Sequence, residues 1–136
     1  MKKCGFISAG LVWGGSSLML VGCASVSYLP YSEENNLLVI KKSNFVKEKY
    51  GLIGYKNLPA PIYITKLENN KYFAVLLKCT HKGCEVAPAG DLLICPCHGS
   101  EYSNTGEVLQ SPADKDLYSF RIKTDSENIY VNVEYN

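Results

Sequence analysis

Two short boxes of cysteine and histidine constrain this chain more than any other part of its sequence. The first box covers 79–84 (Cys-Thr-His-Lys-Gly-Cys), and the second covers 95–102 (Cys-Pro-Cys-His-Gly-Ser-Glu-Tyr). Together they hold both histidines and four of the six cysteines of a 136-residue chain. Gly83, Pro96 and Gly99 favour tight loops, so the boxes can converge on one centre without regular secondary structure.

Three kinds of chemistry use the side chains that the boxes bring together. A tetrahedral zinc site uses Cys-x(2–4)-Cys pairs, and the spacings here fit that pattern poorly. Two disulfides suit an exported compartment, but they leave the histidine of each box without a role. A [2Fe–2S] cluster with two thiolates on one iron and two imidazoles on the other gives all six side chains a role if the other two cysteines pair.

The composition excludes several other classes of protein. Hydrophobic residues make up 46% of the chain and charged residues 20%, which is an ordinary globular composition rather than that of a disordered or collagen-like chain. The formal net charge of +1 provides no electrostatic footprint for nucleic acid. We therefore expect a single globular domain with no nucleic-acid partner.

The segments on either side of the boxes predict antiparallel β-structure. Two β-branched and aromatic runs, 62–67 and 72–77, are separated by an Asn-rich turn, which is typical of a hairpin. A second alternating pair, 117–123 and 129–133, predicts another hairpin. One short helical turn is expected within 43–50. The expected fold class is therefore all-β.

The N-terminus has the pattern of an export signal. Lys2 and Lys3 are followed by an apolar, glycine-rich stretch with no further charged residue before Glu33, which is the shape of a secretory signal. An uncleaved membrane anchor is the alternative, because residues 5–29 could reach the ~20 residues that a spanning helix needs. Either interpretation predicts that the rest of the chain lies outside the cytoplasm and is tethered to a membrane.

A cysteine follows directly after the apolar stretch. The sequence Leu-Val-Gly-Cys that ends at Cys23 resembles a bacterial lipobox, which predicts a signal peptide over 1–22 and a lipid on the sulfur of Cys23. The polar residues 23–36 are expected to form a tether, and 37–136 are expected to form the folded domain. The chain is thus predicted to be a lipoprotein that faces the periplasm or the exterior.

With their spacing, the two boxes resemble those of the Rieske iron–sulfur proteins, and the resemblance covers about 37–136. It implies a Rieske-like antiparallel β-sandwich base with an inserted, loop-rich cluster-binding subdomain at about 79–102. It also implies one Rieske-type [2Fe–2S] cluster as the cofactor. The residue roles that it implies are iron ligation by Cys79, His81, Cys95 and His98, a disulfide between Cys84 and Cys97, and hydrogen bonds to the cluster from Ser100 and Tyr102.

Within that family, the Ser, the Tyr and the disulfide mark the high-potential, exported type. The resemblance therefore implies one-electron transfer in the bacterial cell envelope, with a redox partner protein or a quinol as the partner. We expect an electron carrier or the electron-transfer subunit of an oxidoreductase. The alternatives are the Rieske subunit of a quinol–cytochrome c or arsenite-oxidase-like complex, and a non-redox binding domain. Lys82 stands where quinol-oxidising members usually carry Leu, which favours a polar or acidic partner.

Overall fold

Short runs of β-branched and aromatic residues form the strands of the computed structural model, which describes residues 27–135. The strand bounds are β1 Ser32–Glu34, β2 Leu37–Lys41, β3 Tyr50–Ile53, β4 Ile62–Lys66, β5 Tyr72–Leu76, β6 Ala87–Ala89, β7 Leu92–Ile94, β8 Glu101–Ser103, β9 Val108–Gln110, β10 Ile122–Thr124 and β11 Asn128–Asn132. They form three antiparallel sheets in the orders β1-β2-β11-β10, β3-β4-β5 and β6-β7-β8-β9. The described residues contain no α-helix, so the predicted all-β class is confirmed.

The helical content of 27–135 is limited to single 3-10 turns at Lys42–Phe45 and Glu68–Asn70. The first overlaps the short turn that the sequence predicts within 43–50. None of the helical segments described is long or apolar enough to cross a bilayer.

The first predicted hairpin is present as β4 and β5. Ile62 pairs with Leu76 at one end of this ladder, and Lys66 pairs with Tyr72 at the other. Asn69 and Asn70 occupy the connecting turn with φ angles of 60° and 57°, a left-handed conformation that asparagine tolerates better than most residues. The ladder places Leu76, and therefore the start of the first box, at the end of the sheet away from this turn.

The sheet β3-β4-β5 is the middle layer of the fold, because it has a hydrophobic core on each face. Ile62 and Ile64 of β4 point into the core shared with β2 and β11. Tyr63, between them, points into a second core shared with the residues around the boxes. This alternation is the period-two pattern of a strand buried on both sides. The predicted sandwich base with an inserted, loop-rich subdomain is therefore present.

The second predicted hairpin differs from the structure in its first strand. Only Ile122–Thr124 pairs with β11, whereas the preceding residues run along β5, where Leu76 N donates to Tyr118 O at 2.8 Å and Phe120 N donates to Ala74 O at 2.9 Å. Leu117 is buried in the core around the boxes, and Phe120 is buried in the base core. The chain changes partner here because these two apolar side chains belong to different cores.

The segment 27–36, which the sequence places in a tether, is paired with the fold. Leu29 N donates to Leu52 O at 2.7 Å, and β1 pairs with β2. The Leu29 side chain covers Gly51 so closely that a Cβ at Gly51 would overlap it. The folded body therefore begins before the predicted boundary at residue 37. The predicted signal peptide and Cys23 lie outside the described residues.

Candidate metal centre

The two boxes fold into matching loops. In the first, Gly83 N donates to Cys79 O at 2.9 Å, and Cys79 N donates to Cys84 O at 2.8 Å. In the second, Gly99 N donates to Cys95 O at 3.0 Å, and Cys95 N donates to Ser100 O at 2.8 Å. Gly83 and Gly99 have φ angles of 78° and 80°, which only glycine adopts without steric cost. Equivalent cysteines, Cys79 and Cys95, thus begin two loops of the same shape.

Cys79 and Cys95 are free thiols, and both are buried, at 3% and 1% exposure. Burial raises the pKa of each thiol, and each thiol affects the pKa of the other. The backbone N–H groups of the following loop residues lower these pKa values: those of His81 and Lys82 act on Cys79, and those of Cys97 and His98 act on Cys95.

The two thiols differ in acidity. Burial raises the pKa of Cys79, but the hydrogen bonds from the Tyr102 hydroxyl, the backbone and Cys95 outweigh it, so the pKa of Cys79 lies below its ordinary value. Burial and the hydrogen bond with Cys79 raise the pKa of Cys95. The surroundings of Cys79 therefore favour a thiolate in a buried place, as a metal ligand requires.

His81 and His98 face each other at the surface end of the loops. Their ring centroids are 4.9 Å apart, with an interplanar angle of 84°. His81 is half-buried, and its Nδ1 atom is buried with no hydrogen-bond partner among the described residues. A buried imidazole nitrogen without a partner is costly unless it binds a group outside the protein. Its environment therefore fits a metal ligand.

A disulfide between Cys84 and Cys97 joins the two boxes, as the family resemblance implies. The sulfurs of Cys84, Cys95 and Cys97 lie within 4.8 Å of one another. Two of these three sulfurs are oxidised to the disulfide, so only Cys95 offers a thiolate. The donor set that remains at the loops is two thiols, from Cys79 and Cys95, and two imidazoles, which fits a two-iron cluster with different ligands on each iron.

Ser100 lies behind the second loop and is fully buried. Its Oγ accepts a hydrogen bond from Ala113 N at 2.9 Å. Because the hydroxyl is held as an acceptor there, its proton is free to be donated elsewhere. Ala113 lies in the segment after β9, and its bond to Ser100 places this segment over the second box.

Tyr102 is fully buried on β8, and its hydroxyl lies 3.3 Å from Cys79 Sγ. Thr80 N donates to the same hydroxyl at 3.2 Å. Thr80 Oγ1 lies 3.1 Å from it and donates its proton to Lys115 O at 2.7 Å. Burial, and then the hydrogen bond with Cys79, raise the pKa of Tyr102. The phenol thus keeps its proton and can donate it to the cysteine sulfur.

The eight residues that the sequence singles out in the boxes all lie around this centre, in the positions described above. Thr80 and Lys115 were not predicted, although they fix the Tyr102 hydroxyl. The signal for Thr80 was its place between Cys79 and His81. Lys115 contributes only a backbone carbonyl, for which a sequence carries no signal.

Comparisons with known proteins agree with this donor set. The family model described as Rieske [2Fe-2S] domain matches residues 35–121. Cytochrome b6-f complex iron-sulfur subunit 1 of Nostoc sp. strain PCC 7120 is 34% identical over 90 residues, which are 65% of this chain and 50% of that relative. The chain thus spans about half the length of this curated relative.

Two solved structures have a similar fold. The plasma membrane Rieske protein PetC3 from Synechocystis PCC 6803 superposes with a TM-score of 0.58 at 28% identity, over 67% of this chain and 93% of that one. A chain of a hyperthermophilic respiratory Complex III gives a TM-score of 0.55 at 22% identity, over 67% and 71% of the two chains, and this likeness concerns the fold alone. The family match, which implies a Rieske-type [2Fe–2S] cluster as the cofactor, covers well over half of the sequence, and the chain therefore belongs to the Rieske [2Fe–2S] domain family of iron–sulfur electron-transfer proteins.

Proposed function

We propose that this chain transfers single electrons through a high-potential Rieske cluster while tethered to a membrane of the bacterial cell envelope. The proposal rests on the set of side chains that the two loops bring together. Two buried thiols, two facing imidazoles, a disulfide and two buried hydroxyls converge there within 79–102. This centre is polar and lies close to the surface. It is therefore placed to exchange electrons with a separate redox partner.

Cys79 and Cys95 would hold one iron, and His81 and His98 would hold the other. When bound, such a cluster accepts and returns one electron, and His ligation puts its potential in the range of about −150 to +300 mV. The backbone N–H groups of the two loops oppose the rise in pKa that burial causes at Cys79 and Cys95, and they so favour negative charge on the sulfurs. The histidines are the ligands nearest solvent, since His98 is exposed and His81 is half-buried.

The hydroxyls of Ser100 and Tyr102 favour the high-potential type. Hydrogen bonds to cluster and ligand sulfurs stabilise the additional electron of the reduced state and so raise the potential. Tyr102 has its hydroxyl 3.3 Å from Cys79 Sγ. Ser100 has an uncommitted proton, because its oxygen is already used as an acceptor by Ala113 N.

The role of a carrier without bond-making chemistry fits the surroundings of the boxes. A cavity of about 750 Å³ lies between the loops around Lys49 and Asp91, and no residue of either box lines it. The exposed residues at the tip include Lys82 and His98, which present charge and an imidazole edge rather than an apolar surface. A polar or acidic redox protein is the partner that this surface fits best.

The second candidate is a subunit of a quinol-oxidising cytochrome complex. The similarity to cytochrome b6-f iron-sulfur subunits favours it. The exposed Lys82 weighs against it, because a hydrated cation is costly to place in a quinone pocket. Isolation of the chain from membranes under mild conditions distinguishes the two: a stable complex with cytochrome subunits supports the second, and a free chain supports the first.

Electron paramagnetic resonance of the reduced protein tests the proposed cluster. We expect a rhombic signal from a half-reduced [2Fe–2S] pair, two irons per chain and a midpoint potential in the range given above for His-ligated clusters. His81→Cys and His98→Cys should each remove that signal while the base remains folded. A wild-type protein that carries zinc, or that gives no signal after reduction, would refute the electron-transfer function.

Membrane tethering through Cys23 is tested separately. We expect labelled fatty acid to be incorporated into the chain and Cys23→Ser to release it from the membrane fraction. Cys4→Ser is the matched control, because Cys4 precedes the proposed cleavage site. Equal labelling of the wild type and the Cys23 variant would contradict the lipoprotein proposal without affecting the cluster.

A further inference from the structure

The end of the sandwich opposite the boxes carries an excess of lysines that the cluster site does not use. The first box follows the Leu76 end of the β4–β5 ladder, whereas Lys66 and Tyr72 pair at the other end. The two segments at that other end, 41–49 and 66–71, hold six lysines and two glutamates, a net charge of +4. Residues 27–135 together hold twelve basic and thirteen acidic residues, so the rest of this part carries −5.

These two segments form one surface. The ring of Phe45 packs edge-on against Tyr72 with centroids 5.3 Å apart, and Lys42 Nζ lies 5.8 Å from the centroid of the Tyr72 ring. Lys66 N donates to Lys49 O at 2.7 Å. We use the name lysine face for the surface formed by Val46, Lys47, Lys49, Lys66 and Lys71.

The neighbouring β10–β11 turn reduces this excess only slightly. It adds Lys123, Asp125 and Glu127, which lowers the net charge of the region to +3. The Asp125 carboxylate is already occupied by the Tyr130 hydroxyl and by the backbone N–H groups of Glu127 and Asn128. Asp91 lines the same cavity as Lys47, Lys49 and Lys66 and lowers the net charge of the region to +2, so the lysines remain in excess.

An apolar side chain stands among these cations. Phe45 is buried at 2% exposure, while the next residue, Val46, is 79% exposed. Lys47 and Lys49 follow it, and both are exposed. Exposed apolar side chains flanked by lysines are typical of surfaces that rest on anionic lipids, where the cations meet the headgroups and the apolar group enters the interface.

The described N-terminal segment starts at the same end of the fold. Tyr28 forms a parallel bridge with Leu52, and Tyr31 Oη donates to Gly54 O at 3.3 Å. The segment therefore runs along β3 in the same direction, and its upstream end lies on the Tyr50 side of β3, where Lys49 precedes the strand. Cys23 is four residues before Ser27, and four residues span at most ~14 Å.

We propose that the lysine face lies on the surface of a bilayer that contains anionic lipids, with Val46 at the level of the headgroups. The two boxes then face the aqueous phase, at the opposite end of the sandwich. The inference rests on the membrane attachment in the proposed function and adds the orientation of the domain. A redox partner would consequently reach the boxes from the aqueous side.

Site-specific quenching on vesicles tests this orientation with the full chain. A fluorescent amino acid is placed at position 46, or at the exposed Leu109 as the matched control, since β9 lies beside the second box through the bond from Gln110 Nε2 to Gly99 O. The vesicles are phosphatidylcholine, with or without phosphatidylglycerol, and carry nitroxide-labelled headgroups. We expect strong quenching at 46 and weak quenching at 109, in the anionic vesicles only.

Lysine variants separate docking from anchoring. Lys47→Gln and Lys49→Gln should each lower the ratio of docked to undocked domain roughly fivefold, while the chain still floats with the vesicles. Lys82→Gln and Lys115→Gln, at the box end, should leave quenching at 46 unchanged. Flotation without quenching at 46, or equal quenching on neutral vesicles, would overturn the inference alone. Failure to float with either vesicle would overturn both the tether and this inference.

Discussion

At the scale of single residues, the direction of a few hydroxyl protons decides what the centre can do. Thr80 Oγ1 donates its proton to Lys115 O, so it cannot donate to Tyr102 and shares with Cys79 Sγ the role of acceptor for the phenolic proton. Thr80 N in turn donates to Tyr102 Oη at 3.2 Å. The Tyr102 oxygen therefore accepts one hydrogen bond, from Thr80 N, and its hydroxyl has one proton to donate. This arrangement places a donor beside Cys79 Sγ without a charged group.

Removal of either hydroxyl should lower the midpoint potential of the bound cluster. Hydrogen bonds to charged acceptors contribute about 1.5–3 kcal/mol. A one-electron potential changes by roughly 59 mV per factor of ten, so we expect a decrease of about 65–130 mV for Tyr102→Phe and for Ser100→Ala. Redox titration followed by electron paramagnetic resonance measures it. Tyr118→Phe is the control, because its hydroxyl donates to Glu134 O, away from the boxes. An unchanged potential in both variants would contradict the role of the hydroxyls.

The residues of the metal centre were predictable from the sequence. The hydrogen bonds that hold these residues in place were not. The spacing of Cys79, His81, Cys95 and His98 carries the family resemblance, and Ser100 and Tyr102 follow from the same motif. The link from Thr80 to Lys115 joins residues that are 35 positions apart. Such contacts depend on how the segment after β9 folds back over the second box, which no local pattern of residues encodes.

At the scale of elements, the turn between β10 and β11 is built around one carboxylate. Asp125 accepts hydrogen bonds from the Tyr130 hydroxyl at 2.6 Å and from the backbone N–H groups of Asn128 and Glu127 at 2.6 and 2.8 Å. These bonds, that of Tyr130 first, hold the pKa of Asp125 well below its usual value. The ionised side chain thus closes the hairpin that pairs with β2 at the edge of the base.

Asp125→Asn should destabilise the domain at neutral pH. The pKa of Asp125 is lower in the folded than in the unfolded state, so its contribution to stability is fully present above the unfolded value of about 3.9 and is lost as the pH falls below it. We expect a lower urea midpoint for the variant at pH 7, and the difference from wild type should shrink steadily between pH 4 and pH 2. Glu127→Gln is the control, since Glu127 contributes only its backbone to the turn. A difference that stays constant with pH would exclude the carboxylate as its cause.

The two hairpins show where a pattern of residues predicts an element and where it fails. The runs on either side of the Asn69 turn form β4 and β5 as expected, because both strands pair with each other over their whole length. The alternation over 117–123 is just as regular, yet Leu117 and Phe120 pack into different cores. Alternation shows that a segment is extended, but it does not show which neighbour the segment pairs with.

At the scale of the whole molecule, the disulfide is the covalent link between two loops that the chain otherwise joins only through β6 and β7. Cys84 and Cys97 are 13 residues apart, and both lie at the rim of the second core, where Cys84 is half-buried and Cys97 is exposed. The four proposed ligands lie in the same two loops. The alignment of the ligands therefore depends on this bond as well as on the second core, which holds Cys79 and Cys95.

Cys84→Ser with Cys97→Ser should lose cluster content while the base stays folded. A disulfide typically contributes ~2–4 kcal/mol, and its loss is enough to loosen the exposed tips of the two loops, which carry the histidines. Iron per chain measures the loss, and amide exchange of β4 and β11 reports on the base. Cys23→Ser is the control for the loss of a cysteine, because Cys23 lies outside the boxes. A double variant with full iron content and an unchanged midpoint potential would refute the role of the disulfide.

The extent of the folded body was harder to predict than its class. Residues 27–36 have polar composition and no periodicity, which are typical of a tether, but Leu29 and Tyr31 bind the segment to β3 and the Gly54 carbonyl. Individual contacts of this kind are too sparse to produce a periodic signal. The all-β class was predictable because it rests on many residues that alternate together.

The middle sheet β3-β4-β5 has a consequence for how the protein acquires its metal. Its base-facing side is covered by β2 and β11, which come from the two ends of the described chain, so this half has a complete interior of its own. The box subdomain is inserted between β5 and β10. Its buried side chains pack against the other face of the same sheet and form the second core with it. We therefore expect the base to be able to fold without the cluster, and the loops to be ordered fully only when iron is bound. An iron-free chain would then have a folded base and incompletely ordered cluster-binding loops, rather than being unfolded as a whole.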